Sequence, residues 1–195
     1  SIGFFAELDQ AVVWRGPMAV KALRQLIFDA DWGDLDYLII DTPPGTGDVH
    51  LSIVQNLPLT GVVVVTTPQP VALADAKKAI AMFKMENINV PVLGIVENMS
   101  WFSPKEYKDE KYFIFGQHGG KDLATSLNLE LLGEIPLVQS IRESADVGRP
   151  AVLQQETYVE SFYSVACQNL ILSVDKRNTE LEETKAVSYT HLRAH

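Results

Sequence analysis

Short apolar runs alternate along the chain with amphipathic stretches, which predicts strands alternating with helices. Four runs have the length and composition of buried strands: 36–41, 61–67, 92–97 and 131–135. Runs rich in Val, Ile and Leu are typical of parallel strands covered on both faces. Apolar residues at helical spacing predict helices over 15–29, 48–55, 72–86, 121–127, 140–147 and 158–174. The pattern therefore indicates an α/β protein.

Strands that alternate with helices predict one doubly wound parallel sheet with helices on both faces. Residues 1–174 are expected to be the C-terminal portion of a single domain, and residues 175–195 a disordered tail. The segment 187–195 continues no periodic pattern, and we interpret it as vector or adapter sequence or as the end of a natural tail. Four strands are few for such a sheet, so we expect at least one more strand upstream of Ser1.

Composition and charge narrow the class of protein. The 195 residues are 47% hydrophobic and 21% charged, which is ordinary for a globular protein with one core. The net charge of −9 argues against a general nucleic-acid surface. No apolar run approaches the ~18 residues that span a bilayer, and no signal peptide opens the chain. We therefore predict a cytoplasmic protein with neither nucleic acid nor membrane as partner.

The segment from Asp36 to Asp48 carries the strongest functional signal. Asp41 ends the predicted strand 36–41, at the edge where open α/β sheets bind their ligands. Gly45 and Gly47 follow, and they allow backbone N–H groups to approach an anion closely. A carboxylate beside a phosphate site favours Mg²⁺ between the two. The combination is typical of the Walker B and switch II region of a P-loop NTPase; the alternative is a structural strand followed by a Pro-Gly turn.

The phosphate-binding Walker A motif, Gly-x-x-x-x-Gly-Lys-[Ser/Thr], does not occur in the sequence. The nearest match is Gly116-Gln-His-Gly-Gly-Lys121, which lacks the hydroxyl residue after Lys121 and follows no obvious buried strand. We interpret it as the entry of a loop into a helix. Because the phosphate cradle is missing, this chain by itself is expected to hydrolyse nothing.

Six separated segments together resemble one family. They are Trp14-Arg-Gly-Pro-Met18, Asp36 to Asp48, Thr66-Thr-Pro-Gln69, Val96-Glu-Asn-Met-Ser100, Tyr112-Phe-Ile-Phe-Gly116 and Leu132-Gly-Glu-Ile-Pro-Leu137. In order and spacing they resemble the Mrp/ApbC iron–sulfur cluster carrier ATPases, relatives of MinD and ParA, over roughly residues 1–172. The resemblance implies an ATP-binding P-loop NTPase fold and a nucleotide-switched homodimer. It also implies iron–sulfur acceptor or scaffold proteins as partners, and a Walker A motif and switch I aspartate that would precede Ser1.

The resemblance also assigns roles at the phosphate end of the nucleotide. Asp41 would be the Walker B carboxylate that helps to hold Mg²⁺ through water. Gly45, Thr46 and Gly47 would form switch II and sense the γ-phosphate of ATP.

At the other end of the nucleotide, the resemblance places Asn98, Pro136 and Leu137 around the base. Asn98 would hydrogen-bond the adenine edge, which suits an amide with both a donor and an acceptor. Pro136 and Leu137 would flank the base. From the residues alone, the alternative is that Asn98 forms a turn at a strand end, as asparagine commonly does, and that Pro136 merely stops a strand.

The sequence departs from the family at the expected cluster site. Many family members carry Cys-x-x-Cys between the segments that correspond to 96–100 and 112–116, whereas Trp101 to Lys111 contains no cysteine. Iron–sulfur clusters are usually held by thiolates, so the family's cluster site is absent and the cluster is doubtful as a cofactor. The single cysteine, Cys167, is predicted to be a packed small hydrophobe on the last helix. The alternative function is a MinD/ParA-like module that positions a partner protein without carrying a cluster.

Overall fold

The computed structural model describes residues 16–104, 107, 110–153 and 158–186. Within them the helices are α1 Gly16–Phe28, α2 Asp48–Asn56, α3 Pro70–Phe83, α4 Gly119–Leu127, α5 Gln139–Asp146 and α6 Tyr158–Glu180. The strands are β1 Val62–Thr66, β2 Val92–Phe102 and β3 Leu131–Leu137, and a single 3₁₀ turn covers Ala151–Leu153. Trp14, Arg15 and the segment 187–195 lie outside the described residues. The described part forms two compact units, 16–58 with 185–186 and 59–184.

The first unit contains α1 and α2, which pack on each other. The first turn of α1 includes Pro17, a position where proline loses no helical hydrogen bond. Ile53 and Val54 of α2 are buried, as their spacing predicts.

The predicted strand 36–41 is wrong for this structure, since these residues form no strand. Tyr37 is 56% exposed and Ile39 is 84% exposed. A buried parallel strand needs neighbouring strands along its edges, and the described sheet, β1-β2-β3, does not include this segment. The apolar sequence is therefore left on the surface, with Asp41 at its end.

The second unit is built on a parallel sheet with the strand order β1-β2-β3. Its core consists of apolar side chains from the sheet, α3 and α4, with Val64, Ile80, Ile95 and Leu123 at its centre. Gly133 of β3 faces Ala166 of α6. The next residue of β3, Glu134, pairs with Glu97 of β2, and Glu97 faces α4. Successive strand residues point to opposite faces, so α4 and α6 cover opposite sides of the sheet, which confirms the predicted fold class.

Strand β3 does not stop at Pro136 as predicted. The pairing of β3 with β2 jumps from Ile135↔Asn98 to Leu137↔Phe102, so two additional residues of β2 bulge out beside Pro136. Proline lacks the N–H of a ladder bond and is tolerated on an edge strand or at a bulge. Both conditions hold here, because β3 is an edge of the described sheet.

Helix α6 continues six residues beyond its predicted end at residue 174, to Glu180. Its inward stripe repeats at helical spacing and consists of Val159, Phe162, Tyr163, Ala166, Asn169, Leu170, Ser173 and Arg177. Cys167 is exposed, because one step from Ala166 rotates a side chain about 100° away from that stripe. The prediction of a packed Cys167 is therefore wrong, and Val165 and Ile171 also lie on the exposed side.

Two polar residues on the inward face of α6 bind backbone carbonyls where the sheet changes register. Pairing with β1 skips Leu93 of β2, and pairing with β2 skips Leu132 of β3. Ser173 Oγ donates to the Leu93 carbonyl at 2.8 Å, and Asn169 Nδ2 donates to the Leu132 carbonyl at 2.8 Å. Buried carbonyls need a partner, so α6 stabilises both irregularities.

We predict that Asn169→Ala in the full-length protein lowers the free energy of unfolding by about 1–3 kcal/mol, because the Leu132 carbonyl loses its partner. Urea denaturation measures the change. Gln168→Ala, which removes an exposed amide from the adjacent position, should cost less than about 0.5 kcal/mol. Equal losses for the two variants would contradict the role given to Asn169.

Candidate functional site

The turn from Asp41 to Gly47 lies on the surface and leads directly into α2. Gly45 has φ +100°, a conformation that side-chain-bearing residues rarely adopt. A Cβ placed on Gly45 or Gly47 would meet nothing within 4 Å. The glycine at position 45 is therefore required by the backbone conformation, and the space around the turn is open to a ligand.

The start of α2 offers backbone donors to that space. Gly47 caps the helix without a side-chain bond, and the amides of His50 and Leu51 both bond to its carbonyl, at 3.1 and 3.4 Å. The first amides of a helix have no intrahelical acceptor, and the helix dipole favours negative charge at this end. Asp41, at the beginning of the same turn, is exposed and forms no ion pair within the described residues.

His50 supports the turn from inside and was not identified from the sequence. Its side chain is 6% exposed, and Nδ1 has no hydrogen-bond partner within the described structure. Burial lowers the pKa of His50, and a hydrogen bond to the Pro43 backbone partly opposes that shift. A buried imidazole thus connects α2 to the turn. Its spacing from Ile53 and Val54 was the available signal, because the three residues share one helix face.

The residues predicted around the base lie beside one another, on β2 and at the carboxyl end of β3. Asn98 is half-buried and pairs with Ile135, directly before Pro136 and Leu137. Asn98 Oδ1 accepts the N–H of Met99 at 2.9 Å, which fixes the orientation of the carboxamide. Pro136 is fully buried and Leu137 is partly buried. The structure therefore brings these predicted residues together on two adjacent strands.

The backbone immediately after Asn98 adopts an uncommon conformation. Met99 has φ +54°, in the left-handed region that a side chain of this size rarely enters. Ser100 Oγ donates to the Glu97 carbonyl at 2.9 Å and so closes the bulge from the other side. Strained backbone of this kind concentrates at functional sites.

The glycine-rich loop before α4 is a helix entry rather than a phosphate cradle. Helix α4 begins at Gly119, after a loop with His118 in the left-handed region at φ +60°. The Gly120 amide donates to Glu97 Oε2, so a carboxylate of the chain itself already binds at this helix N-terminus. An incoming phosphate would find the Gly120 amide already occupied.

The connection after β2 is closed by aromatic contacts where the family resemblance implies cysteines. Lys111 Nζ lies 3.8 Å from the centre of the Trp101 ring, and Phe162 of α6 packs edge-on against the same ring. Phe102 and Tyr112 exchange two backbone hydrogen bonds of 2.8 and 2.9 Å. Among the described residues no cluster of three or more His, Cys, Asp or Glu side chains could hold a metal ion.

Comparison with known proteins places these features in a family. The family model described as ParA, NUBPL iron-transfer P-loop NTPase, matches residues 1–171. The chain belongs to this family. Its helices within the described residues include none that is both long and apolar enough to cross a membrane.

Two curated relatives of the NUBPL-type family are about half identical to this chain. The Arabidopsis thaliana protein named "Iron-sulfur protein required for NADH dehydrogenase, mitochondrial" is 49% identical over 94% of this chain and 56% of its own length. The mouse protein named "Iron-sulfur cluster transfer protein NUBPL" is 50% identical over 80% of this chain and 48% of its own length. The chain thus spans about half the length of these relatives.

A solved structure extends the likeness to a nucleotide complex. The nucleotide-binding protein of Archaeoglobus fulgidus in complex with ADP superposes with a TM-score of 0.60 and 36% identity. The match covers 72% of this chain and 59% of that chain. The predicted MinD/ParA-like P-loop NTPase fold is therefore confirmed.

We predict that His50 makes stability fall as the pH is lowered. The pKa of His50 in the folded chain lies below the ordinary 6.5, so between those two values the unfolded chain binds more protons. The free energy of unfolding of the full-length protein should therefore decrease from about pH 6.5 downward.

Urea denaturation of the full-length protein at about pH 7.5 and about pH 5.5 measures this loss. His50→Gln should lose less between the two values than the unchanged protein does. His118→Gln, which removes an exposed loop histidine, is the matched control. An unchanged pH dependence in His50→Gln would contradict the prediction.

Proposed function

We propose that this chain provides the switch II and base-contacting half of a nucleotide-dependent iron–sulfur cluster carrier or assembly factor. Membership of the NUBPL-type family, together with relatives named for iron–sulfur transfer, is the observation that carries the proposal. The open glycine turn after Asp41 supports a nucleotide-responsive segment. ATP with Mg²⁺ is the proposed ligand, and a homodimer is the proposed working state.

Asp41 is proposed to hold Mg²⁺ through water, with Gly45, Thr46 and Gly47 sensing the γ-phosphate. These residues fit the group, because Asp41 offers a hard oxygen ligand and the turn exposes backbone N–H groups at the start of α2. Mg²⁺ would neutralise charge on the phosphates. A segment ordered by the γ-phosphate and released after hydrolysis is a known switch, and the surface position of this turn leaves it free to move.

Asn98, Pro136 and Leu137 are proposed to bind the adenine base. Asn98 Oδ1 already accepts one hydrogen bond from Met99, and it keeps a second lone pair for the base. Asn98 Nδ2 provides the donor. A carboxamide oriented in this way can match one donor and one acceptor on the adenine edge.

Cluster transfer to acceptor or scaffold proteins is proposed from the names of the relatives. The cysteine content limits which residues of this chain could bind the cluster. Cys167 is the only cysteine and is exposed on α6, so two copies of the chain contribute two thiols. A cluster held by cysteines alone uses four thiolates. Two thiols fall short of that number, so the cluster ligands are proposed to lie outside these 195 residues. Cytoplasmic localisation stays a prediction.

The second candidate function is a MinD/ParA-like module that positions a partner protein without a cluster. The absence of cysteine from Trp101 to Lys111 is the observation in its favour. The names of the relatives favour the carrier.

We predict that Asp41→Asn lowers ATP turnover by the full-length gene product about 10–100-fold, the range for removing a partner that holds a metal through its outer shell. A phosphate-release assay over a series of Mg²⁺ concentrations measures the loss. Asp36→Asn, on the same surface segment, is the matched control and should keep turnover. Full turnover by Asp41→Asn would refute the Walker B role.

We predict that the full-length gene product binds iron when it is reconstituted anaerobically with iron and sulfide. A thiolate-to-iron charge-transfer band and the iron content are measured. Cys167→Ser should leave both unchanged, because the cluster ligands are proposed to lie outside this chain. Iron at background level would remove the carrier function and leave the partner-positioning module.

A further inference from the structure

Glu97 is a buried carboxylate in the middle of the sheet. It lies on the central strand β2, is 1% exposed, and pairs in register with Thr66 of β1 and Glu134 of β3. Its Oε2 accepts the N–H of Gly120 in the first turn of α4, and within the described residues it forms no ion pair. Burying a carboxylate costs free energy unless hydrogen bonds compensate, so this contact needs an explanation.

The two glycines at the start of α4 fit tightly around this contact. A Cβ on Gly120 would lie 2.9 Å from Glu97 Oε2, and a Cβ on Gly119 would lie 2.6 Å from the Pro68 carbonyl. The first turn of α4 is therefore wedged between the β1–α3 connection and the Glu97 side chain. Position 120 needs glycine because of this close approach.

The backbone carbonyl of Glu97 forms a second hydrogen bond that holds the bulge of β2. Its carbonyl accepts the Ser100 hydroxyl at 2.9 Å across the bulge, inside which Met99 is left-handed. Asn98 directly follows Glu97, whose side chain bonds to Gly120 and whose carbonyl bonds to Ser100. The Oδ1 atom of Asn98 accepts the N–H of Met99. A shift of Glu97 away from Gly120 would therefore move the residue that presents the carboxamide.

We propose that Glu97 is a positioning residue for the nucleotide base, acting through Asn98. Its carboxylate fixes β2 at position 97 against the start of α4, and its carbonyl holds the bulge that orients the Asn98 carboxamide. The inference rests on the proposed function, since it requires Asn98 to contact adenine. A purely structural Glu97 would change stability and leave base preference unaltered.

The test measures dissociation constants of ADP and GDP by calorimetry on the full-length protein and takes their ratio as base discrimination. Glu97→Met keeps the volume but removes the acceptor, and it should reduce discrimination about tenfold, as expected for a lost charge-assisted hydrogen bond. Glu97→Gln keeps an acceptor and should stay within about threefold of the unchanged protein. Lys121→Ala, an exposed change in the same turn of α4, is the matched control and should keep full discrimination.

Gly120→Ala reaches the same contact from the helix side. Alanine is the better helix former, by about 1 kcal/mol, which corresponds to about fivefold in helix formation, so a simple helical position would gain stability. Here the added Cβ displaces the Glu97 carboxylate, and discrimination should fall as in Glu97→Met. This variant replaces Glu97→Met in every comparison if the latter does not fold.

A double-mutant cycle with Asn98→Ala separates the outcomes. Asn98→Ala should lose discrimination, and adding Glu97→Met should lower it no further. If Asn98→Ala keeps discrimination, the proposed base contact fails and the inference fails with it. If Asn98→Ala loses discrimination but Glu97→Met and Gly120→Ala keep it, only the inference fails. Additive losses would show that Glu97 acts by another route and would also overturn it.

Discussion

The central strand β2 is the element on which the second unit depends, and its ladder is interrupted in three places. Two interruptions lie beside Leu93 and Leu132, whose carbonyls are bound by Ser173 and Asn169 of α6. The third is the bulge after Asn98. Each interruption releases backbone groups from the ladder, and a buried group without a partner costs about 1–3 kcal/mol. The polar residues inside α6 are therefore structural requirements of this sheet.

Close approach at a glycine attaches a helix to each face of the sheet. On one face Ala166 of α6 packs so closely that a Cβ on Gly133 would lie 2.7 Å from the Ala166 Cβ. On the other face Gly120 brings the start of α4 onto the Glu97 carboxylate. The first contact fixes a helix to the sheet. The second fixes the position of Glu97, the residue directly before Asn98, against the start of α4.

The sequence predicted those elements whose stability is local. β-branched runs identified β1 and β2, and helical spacing identified all six helices of the described residues, with bounds within three residues except at the end of α6. The strand prediction for 36–41 was wrong because a strand also needs neighbouring strands to pair with, and these are not encoded in the segment itself. The prediction that Cys167 is packed was wrong because a shift of one residue along a helix moves a side chain from the core to the surface. Asn98, Pro136 and Leu137 were identified through motifs, whereas the contact of Glu97 with Gly120 spans 23 positions and leaves no local pattern.

The fate of the Gly116–Lys121 loop shows why a glycine-rich motif alone does not make a phosphate site. A cradle requires free amides at a helix N-terminus and no negative charge beside them. At α4 the Gly120 amide is already bound to Glu97 Oε2. At α2 the first turn is preceded by an open glycine turn with φ +100° at Gly45, and no side chain caps it. The same helix-end chemistry is thus satisfied internally at α4 and left available at α2, which is why the phosphate-sensing role is proposed for the turn after Asp41.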